Sequence, residues 1–165
     1  MYYLGIDPGL SGALALLRVE TTMTRYVSIE DMPTVWTTVN KRRRRQIDHQ
    51  RLADLFTQMN GLPVRAFIEA PHARPGQGVT SAFSFGYACS APRQCCACAH
   101  IPTTMVRPAV WKADLGLPAD KDVCRKRAIQ LFPHAASALG RSQDHNRAEA
   151  MLLAWWGLQK GESGT

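Results

Sequence analysis

YYLGIDPGLSGALALL, residues 2–17, reads as a strand, a tight glycine turn and a second strand. Tyr2, Tyr3, Leu4 and Ile6 form an apolar, β-favouring run that ends at Asp7. Pro8, Gly9 and Gly12 force the chain to turn, and Ala13 to Leu17 is apolar again, the second arm of a hairpin. Asp7 is therefore an acid at the end of a core strand, where a carboxylate destabilises the fold unless something pairs with it. Two readings stand side by side. One is a turn aspartate bonded to its own backbone; the other is an acid beside a glycine turn that leaves room for a ligand.

The sequence has 165 residues, of which 45% are hydrophobic, enough for one domain with a real core. We expect that domain over 1–160, followed by a flexible tail at 161–165. No apolar run approaches membrane-spanning length, and the start has no signal-peptide pattern. This predicts a cytoplasmic, nucleoid-associated protein with no membrane partner. The net charge of +7 favours an anionic partner, nucleic acid before an acidic membrane. The five cysteines are odd in number, and Cys95, Cys96 and Cys98 are crowded, a poor disulfide framework that points to a reducing compartment. Cys95 and Cys98 have no second pair at zinc spacing, so they read as small buried residues on a packed helix.

Arg25 to Ile29 is a candidate third strand. Lys41, Arg42, Arg43, Arg44 and Arg45 form a basic run, expected as a solvated loop and, beside nucleic acid, as a phosphate clamp. A helix follows with Asp48 as its N-cap and Leu52, Leu55, Phe56 and Met59 on its apolar face. Val64 to Ile68 is a fourth strand, and it too ends in an acid and a proline: Glu69, Ala70, Pro71. Arg74 sits in the loop beyond. Val79 to His100 reads as a buried helix, Pro102 to Val106 as a strand, and Pro108 opens a turn carrying Trp111 and Lys112. Helices at Asp120 to Phe132 and Gln143 to Leu158 complete an α/β chain with a mixed sheet and helices on both faces.

Two strands with the same ending can set two carboxylates side by side at one sheet edge. A third acid, Glu149, opens an apolar helix within Asp144-His145-Asn146-Arg147-Ala148-Glu149. Asn146 and Glu149 also match a capping-box spacing. Carboxylates from separate elements can converge on two divalent cations about 3.5–4 Å apart, and oxygen ligands suit Mg²⁺ or Mn²⁺. Asp144 reaches such a site only if the helix starts after it. By charge we rank Asp144 ahead of His145, and His145 ahead of Asn146, as the partner of Glu149.

GIDPG-x-SGA-x-A, IEAP, P-x-x-WK, DK with A-x-x-LFP, and DHNRAEA follow one another across most of the chain. As an ordered set they resemble the RuvC-type Holliday junction resolvases, in particular the phage and chloroplast branch. The resemblance implies a ribonuclease H-like fold with a five-stranded sheet, a homodimer, and metal-dependent incision of four-way DNA by two symmetric nicks. It places Asp7, Glu69, Glu149 and Asp144 at the family's acids. It places Lys112 and Lys121 at basic residues near the scissile phosphate. By charge alone, Lys41 to Arg45 and Arg74 are expected as further DNA contacts. A phosphotransferase or ATPase of the same broad fold is a weaker alternative, because 165 residues are few for a second lobe closing over a nucleotide. A non-catalytic branched-DNA-binding module is the other, and the retained acids argue against it.

Overall fold

The computed structural model describes residues 1–20, 23–39, 41–72 and 76–162. Among the described residues, seven strands and five α-helices follow in the order β1 Tyr2–Asp7, β2 Ala13–Glu20, β3 Met23–Asp31, β4 Thr34–Val39, β5 Arg42–Ile47, α1 His49–Thr57, β6 Val64–Glu69, α2 Val79–Cys98, β7 Thr103–Val106, α3 Pro108–Asp114, α4 Lys121–Leu131 and α5 His145–Glu162. Short 3-10 segments, Pro133–Leu139 and Ser142–Asp144, join α4 to α5. Arg74 and residues 163–165 lie outside the described residues. The last helix runs to Glu162, so Gly161 and Glu162 are helical rather than part of a tail.

The expected mixed five-stranded sheet is present, in the order β3-β2-β1-β6-β7. β1 runs antiparallel to β2 and parallel to β6. β1 and β6 are in register, with Ile6 opposite Ile68. Asp7 and Glu69, each one residue further on, therefore leave the sheet at the same edge.

Strand alternation then divides the side chains between two cores. Leu4, Ile6, Ala66 and Ile68 face a layer containing Leu52 and Phe56 of α1 and Ala88, Ala91 and Cys96 of α2. Tyr3 and Phe67 face the other layer, with Trp111, Ala128, Ala150, Met151 and Ala154. Asp7 and Glu69 share the parity of Tyr3 and Phe67, so they point toward the side of the sheet covered by α3, α4 and α5.

Two glycines make this arrangement possible. Gly9 turns the chain after Asp7 with a φ of 111°, a conformation open to glycine. At Gly5 the backbone of α5 comes so close that a Cβ would stand 1.9 Å from the Ala150 carbonyl oxygen.

The caps at Asp48 and Asp120 form through side-chain bonds to Arg51 N, and to Asp122 N and Val123 N. One expectation fails clearly. The basic run is a strand, not a loop: β4 and β5 form a separate antiparallel hairpin from Thr34↔Ile47 to Val39↔Arg42, turning at Lys41 with a φ of 62°. Thr34, Val35, Thr37 and Thr38 favour extended backbone. Arg42 to Gln46 carries no apolar alternation, so its strand character left no trace in the pattern.

α2 is only half buried. Ala88, Ala91 and Cys96 pack on the sheet, whereas Val79, Phe83 and Tyr87 are exposed. The expectation that Cys95 and Cys98 are buried fails, because Cys98 is exposed and Cys95 half-buried, whereas Cys89, Cys96 and Cys124 are buried. No described helix is long and apolar enough to cross a membrane.

Candidate active site

Three acids meet at the edge where β1 and β6 end. Asp7 and Glu69 come from the adjacent strand ends, and Glu149 comes from the first turns of α5, one residue before the Ala150 contact with Gly5. Their proximity registers in their acidity. Burial, followed by the charges of Glu69 and Glu149, pushes the Asp7 carboxyl up to about 8, with Lys121 and Lys112 opposing. Glu69 is raised as well, by burial first and by Glu149, against a hydrogen bond from Trp111.

The other contacts of these acids are specific. Trp111, fully buried in α3, donates its indole N–H to Glu69 Oε2 at 3.0 Å. Lys112, the next residue, reaches Glu149 Oε1 at 2.5 Å. Burial works against the Lys112 ammonium, but the hydrogen bond and charge of Glu149 outweigh it and its pKa lies above the usual lysine value. Lys121, the exposed first residue of α4, acts on Asp7 through its charge.

Asp144 is placed differently. It immediately precedes α5, as its reach to the cluster requires, and its side chain is 3% exposed. Both of its oxygens, however, are taken by Arg141. The Arg141 backbone N donates to Oδ2 at 2.8 Å, and Nη2 donates to Oδ1 at 2.7 Å. Arg147 adds an ion pair at 3.7 Å. These arginines hold the Asp144 carboxyl below the usual aspartate range. Arg147 is itself clamped to Asp31 at the end of β3 by two bonds of 2.6 Å. Asp144 thus joins a strap between the start of α5 and β3.

His145 turns Nδ1 toward the Ser142 carbonyl at 3.1 Å. Asn146 lies inside the helix rather than capping it, and its amide donates to the Ser11 carbonyl in the glycine turn. The ranking of Asp144, His145 and Asn146 as partners of Glu149 finds no support in these contacts, because each is engaged elsewhere.

Asp144→Asn should accordingly lower the melting temperature by about 2–4 °C for each kcal/mol of lost ion pairing. Calorimetry of the variant is the measurement, and an unchanged melting temperature would show that the arginine contacts of Asp144 do not support the fold.

A polar cleft of about 600 Å³ lies beside the glycine turn, lined by Ser11, Arg45, Lys121, Arg141, Asp144 and Asn146 among others. Among the described residues, no three His, Cys, Asp or Glu side chains stand ready-made around one ion. The reason is local: Glu149 is turned to Lys112, and Glu69 to Trp111. The donor chemistry nevertheless suits a hard cation, since carboxylate oxygens are its preferred ligands and the raised Asp7 and Glu69 carboxyls are relieved by positive charge beside them.

No protein-family model matches the chain. No curated protein matches it either. Solved structures do. RuvC of T. thermophilus in complex with a Holliday junction substrate superimposes with a TM-score of 0.66 at 18% identity, covering 100% of this chain and 98% of that one. A second Thermus thermophilus RuvC structure gives 0.62 at 17%, covering 98% and 97%. The fold is that of the RuvC-type resolvases. The fowlpox virus Holliday junction resolvase shares it, at 0.56 and 16% identity over 99% of both chains. The shared fold accords with the mixed five-stranded sheet described above.

Sequence reasoning missed Trp111 as a partner of Glu69. The signal was present, because a tryptophan in a buried helix needs an acceptor for its indole N–H. A hydrogen bond to a charged group contributes about 1.5–3 kcal/mol. Trp111→Phe should therefore slow nicking at saturating DNA by at least about tenfold, with junction affinity within about twofold. An unchanged single-turnover rate would reduce Trp111 to a core residue.

Proposed function

We propose that this chain is a Holliday junction resolvase, a crossover junction endodeoxyribonuclease that cuts four-way DNA by paired symmetric nicks in recombination and repair. The observation that carries the reading is the meeting of Asp7, Glu69 and Glu149 from three separate elements at one sheet edge, beside a cleft bearing Arg45 and Lys121. Solved structures with this fold include a RuvC bound to a Holliday junction substrate. We assign the binding of Mg²⁺ or Mn²⁺, two ions per site, to Asp7, Glu69 and Glu149. When bound, such ions supply an activated water and stabilise the leaving oxygen.

The chain's own residues do the rest. Trp111 fixes the rotamer of Glu69. Lys112 pairs with the Glu149 carboxylate and holds it in place at the site. Lys121 sits at a helix start, where its ammonium and the free backbone amides both favour a phosphate. The proposed setting is the cytoplasm, at the nucleoid.

A four-way junction has two scissile strands related by a two-fold axis, so a C2 homodimer supplies the second site. Val79, Phe83 and Tyr87, exposed by 86%, 75% and 60%, make the first half of α2 the proposed contact. The test is a nicking assay on a synthetic four-way junction beside linear duplex, with sedimentation of the same sample. Paired, Mg²⁺- or Mn²⁺-dependent nicks made by a dimer are expected. No cleavage with either ion overturns the enzyme, and paired nicks made by a monomer overturn the dimer.

The basic hairpin carries the polyelectrolyte part of binding. Each neutralised phosphate contributes about −0.9 to the slope of log K against log salt. Arg42 and Arg44 share one face of β5 and are exposed. The double variant Arg42→Ala/Arg44→Ala should weaken duplex and junction binding alike and flatten the slope by up to about 1.8. A slope unchanged across a salt titration would show that these side chains meet no phosphate.

A further inference from the structure

The β4–β5 hairpin contains a feature that phosphate clamping does not explain. Trp36 is 59% exposed. It lies on the same hairpin face as Arg43 and Arg45, and the Arg43 guanidinium sits 5.1 Å from the centre of its ring. A two-stranded ribbon is marginal by itself, and a bare indole on it adds nothing to the core.

The ribbon is nonetheless fixed where it leaves the body. Met32 N donates to the Gly12 carbonyl at 2.8 Å, and Arg45 Nη2 donates to the Leu10 carbonyl at 2.7 Å. Arg45 Nε also holds Thr34 Oγ1 at 2.9 Å, and Asp48 N bonds the Pro33 carbonyl at 2.9 Å. Both strands are thus pinned to the β1–β2 turn that begins at Asp7. Arg45 also lines the polar cleft that holds Lys121, so the cleft reaches from the start of α4 to the foot of the hairpin.

We propose that Trp36, braced by Arg43, is a stacking platform for a nucleobase that is not covered by its neighbours in a duplex. The proposal rests on the reading of this chain as a nuclease for branched DNA, and it names the part of the substrate that the hairpin selects. Charge decides the class of partner. An aromatic ring within a run of five cations, Lys41 to Arg45, suits a polyanion that also offers flat π faces. Base pairs inside a duplex keep their faces stacked on one another. Only an unstacked base presents a face to an indole.

The experiment is done in EDTA, so that no strand is cut. Fluorescence anisotropy compares wild type, Trp36→Ala and Trp36→Phe on an oligo-dT strand, a linear duplex of equal length, and a four-way junction with 2-aminopurine beside the branch point. Stacking is worth about 1–3 kcal/mol per base, which converts to roughly 5- to 150-fold. Trp36→Ala should lose affinity for oligo-dT within that range while duplex affinity stays within about twofold. Trp36→Phe should keep most of the affinity. The 2-aminopurine signal should rise with wild type and not with Trp36→Ala.

Equal losses of Trp36→Ala on duplex and single strand would make Trp36 a support for the hairpin and overturn the platform, as would no loss at all. Nicking by wild type, measured separately with Mg²⁺, tests the parent reading. A protein that nicks junctions but binds oligo-dT equally with and without Trp36 overturns the platform alone. One that stacks on oligo-dT but never nicks overturns the nuclease and leaves the platform standing.

Discussion

Asp7→Asn and Glu69→Gln should each reduce junction nicking by at least about a hundredfold, the scale on which loss of one transition-state charge contact is felt, and should leave junction binding largely intact. The two effects separate because the groups that meet the metal and the groups that meet the phosphates differ. Asp7 and Glu69 sit at the buried ends of β1 and β6 and couple to Glu149. The exposed cations lie on β5 and at the start of α4. Both substitutions are nearly isosteric, so packing against α5 is preserved. They also remove a negative charge from a crowded set, which makes the unligated protein no less stable: burial and mutual repulsion already disfavour ionised Asp7. The measurement is single-turnover nicking with Mg²⁺ beside anisotropy in EDTA. Nicking by either variant near the wild-type rate sinks the metal assignment. Binding lost in parallel with nicking would mean that these acids shape the DNA surface instead.

What the sequence made legible follows from where local patterns coincide with tertiary ones. Asp7 and Glu69 were readable because each terminates an apolar run, and the in-register parallel pairing of β1 with β6 turns that likeness into adjacency. Glu149 was readable because a carboxylate in the apolar helix AEAMLLAWW needs a partner, although its spacing from Asn146 also fitted a capping box. The hairpin was not readable, because Arg42 to Arg45 has no period of two to reveal a strand and its Trp36 partner lies across the turn. The contacts of Asp144 were not readable for a related reason. Its charge was visible in the sequence, but Arg141 and Arg147, which bind it, look like ordinary surface residues until the 3-10 segment and the start of α5 bring them to it. Lys112 and Trp111 are adjacent in sequence, yet they serve different acids, a division that only the angle of α3 over the strand ends decides.

Gly5→Ala should cost the fold more than about 3 kcal/mol, above the usual range for an added methyl in a packed core. The added carbon would stand 1.9 Å from the Ala150 carbonyl oxygen and 2.6 Å from the Ala154 amide nitrogen, both backbone atoms of α5. No rotamer change can relieve a clash between two backbones, so the helix must lift from the strand. That movement strains the layer holding Met151, Leu153 and Ala154 against Tyr3 and Phe67. It also carries Glu149, the residue before Ala150, away from Asp7, two residues beyond Gly5. Any folded fraction should therefore nick slowly, with an Asp7 whose acidity has moved back toward that of an ordinary aspartate. Gly86→Ala is the control. Gly86 lies in α2 with nothing within 4 Å of a built Cβ, and alanine there should be neutral or stabilising by about 0.5–1 kcal/mol. Urea unfolding of the two variants at equal protein concentration reads the difference directly. If Gly5→Ala unfolds at the wild-type midpoint, α5 does not rest on β1 at this contact, and the acids must be brought together by some other packing.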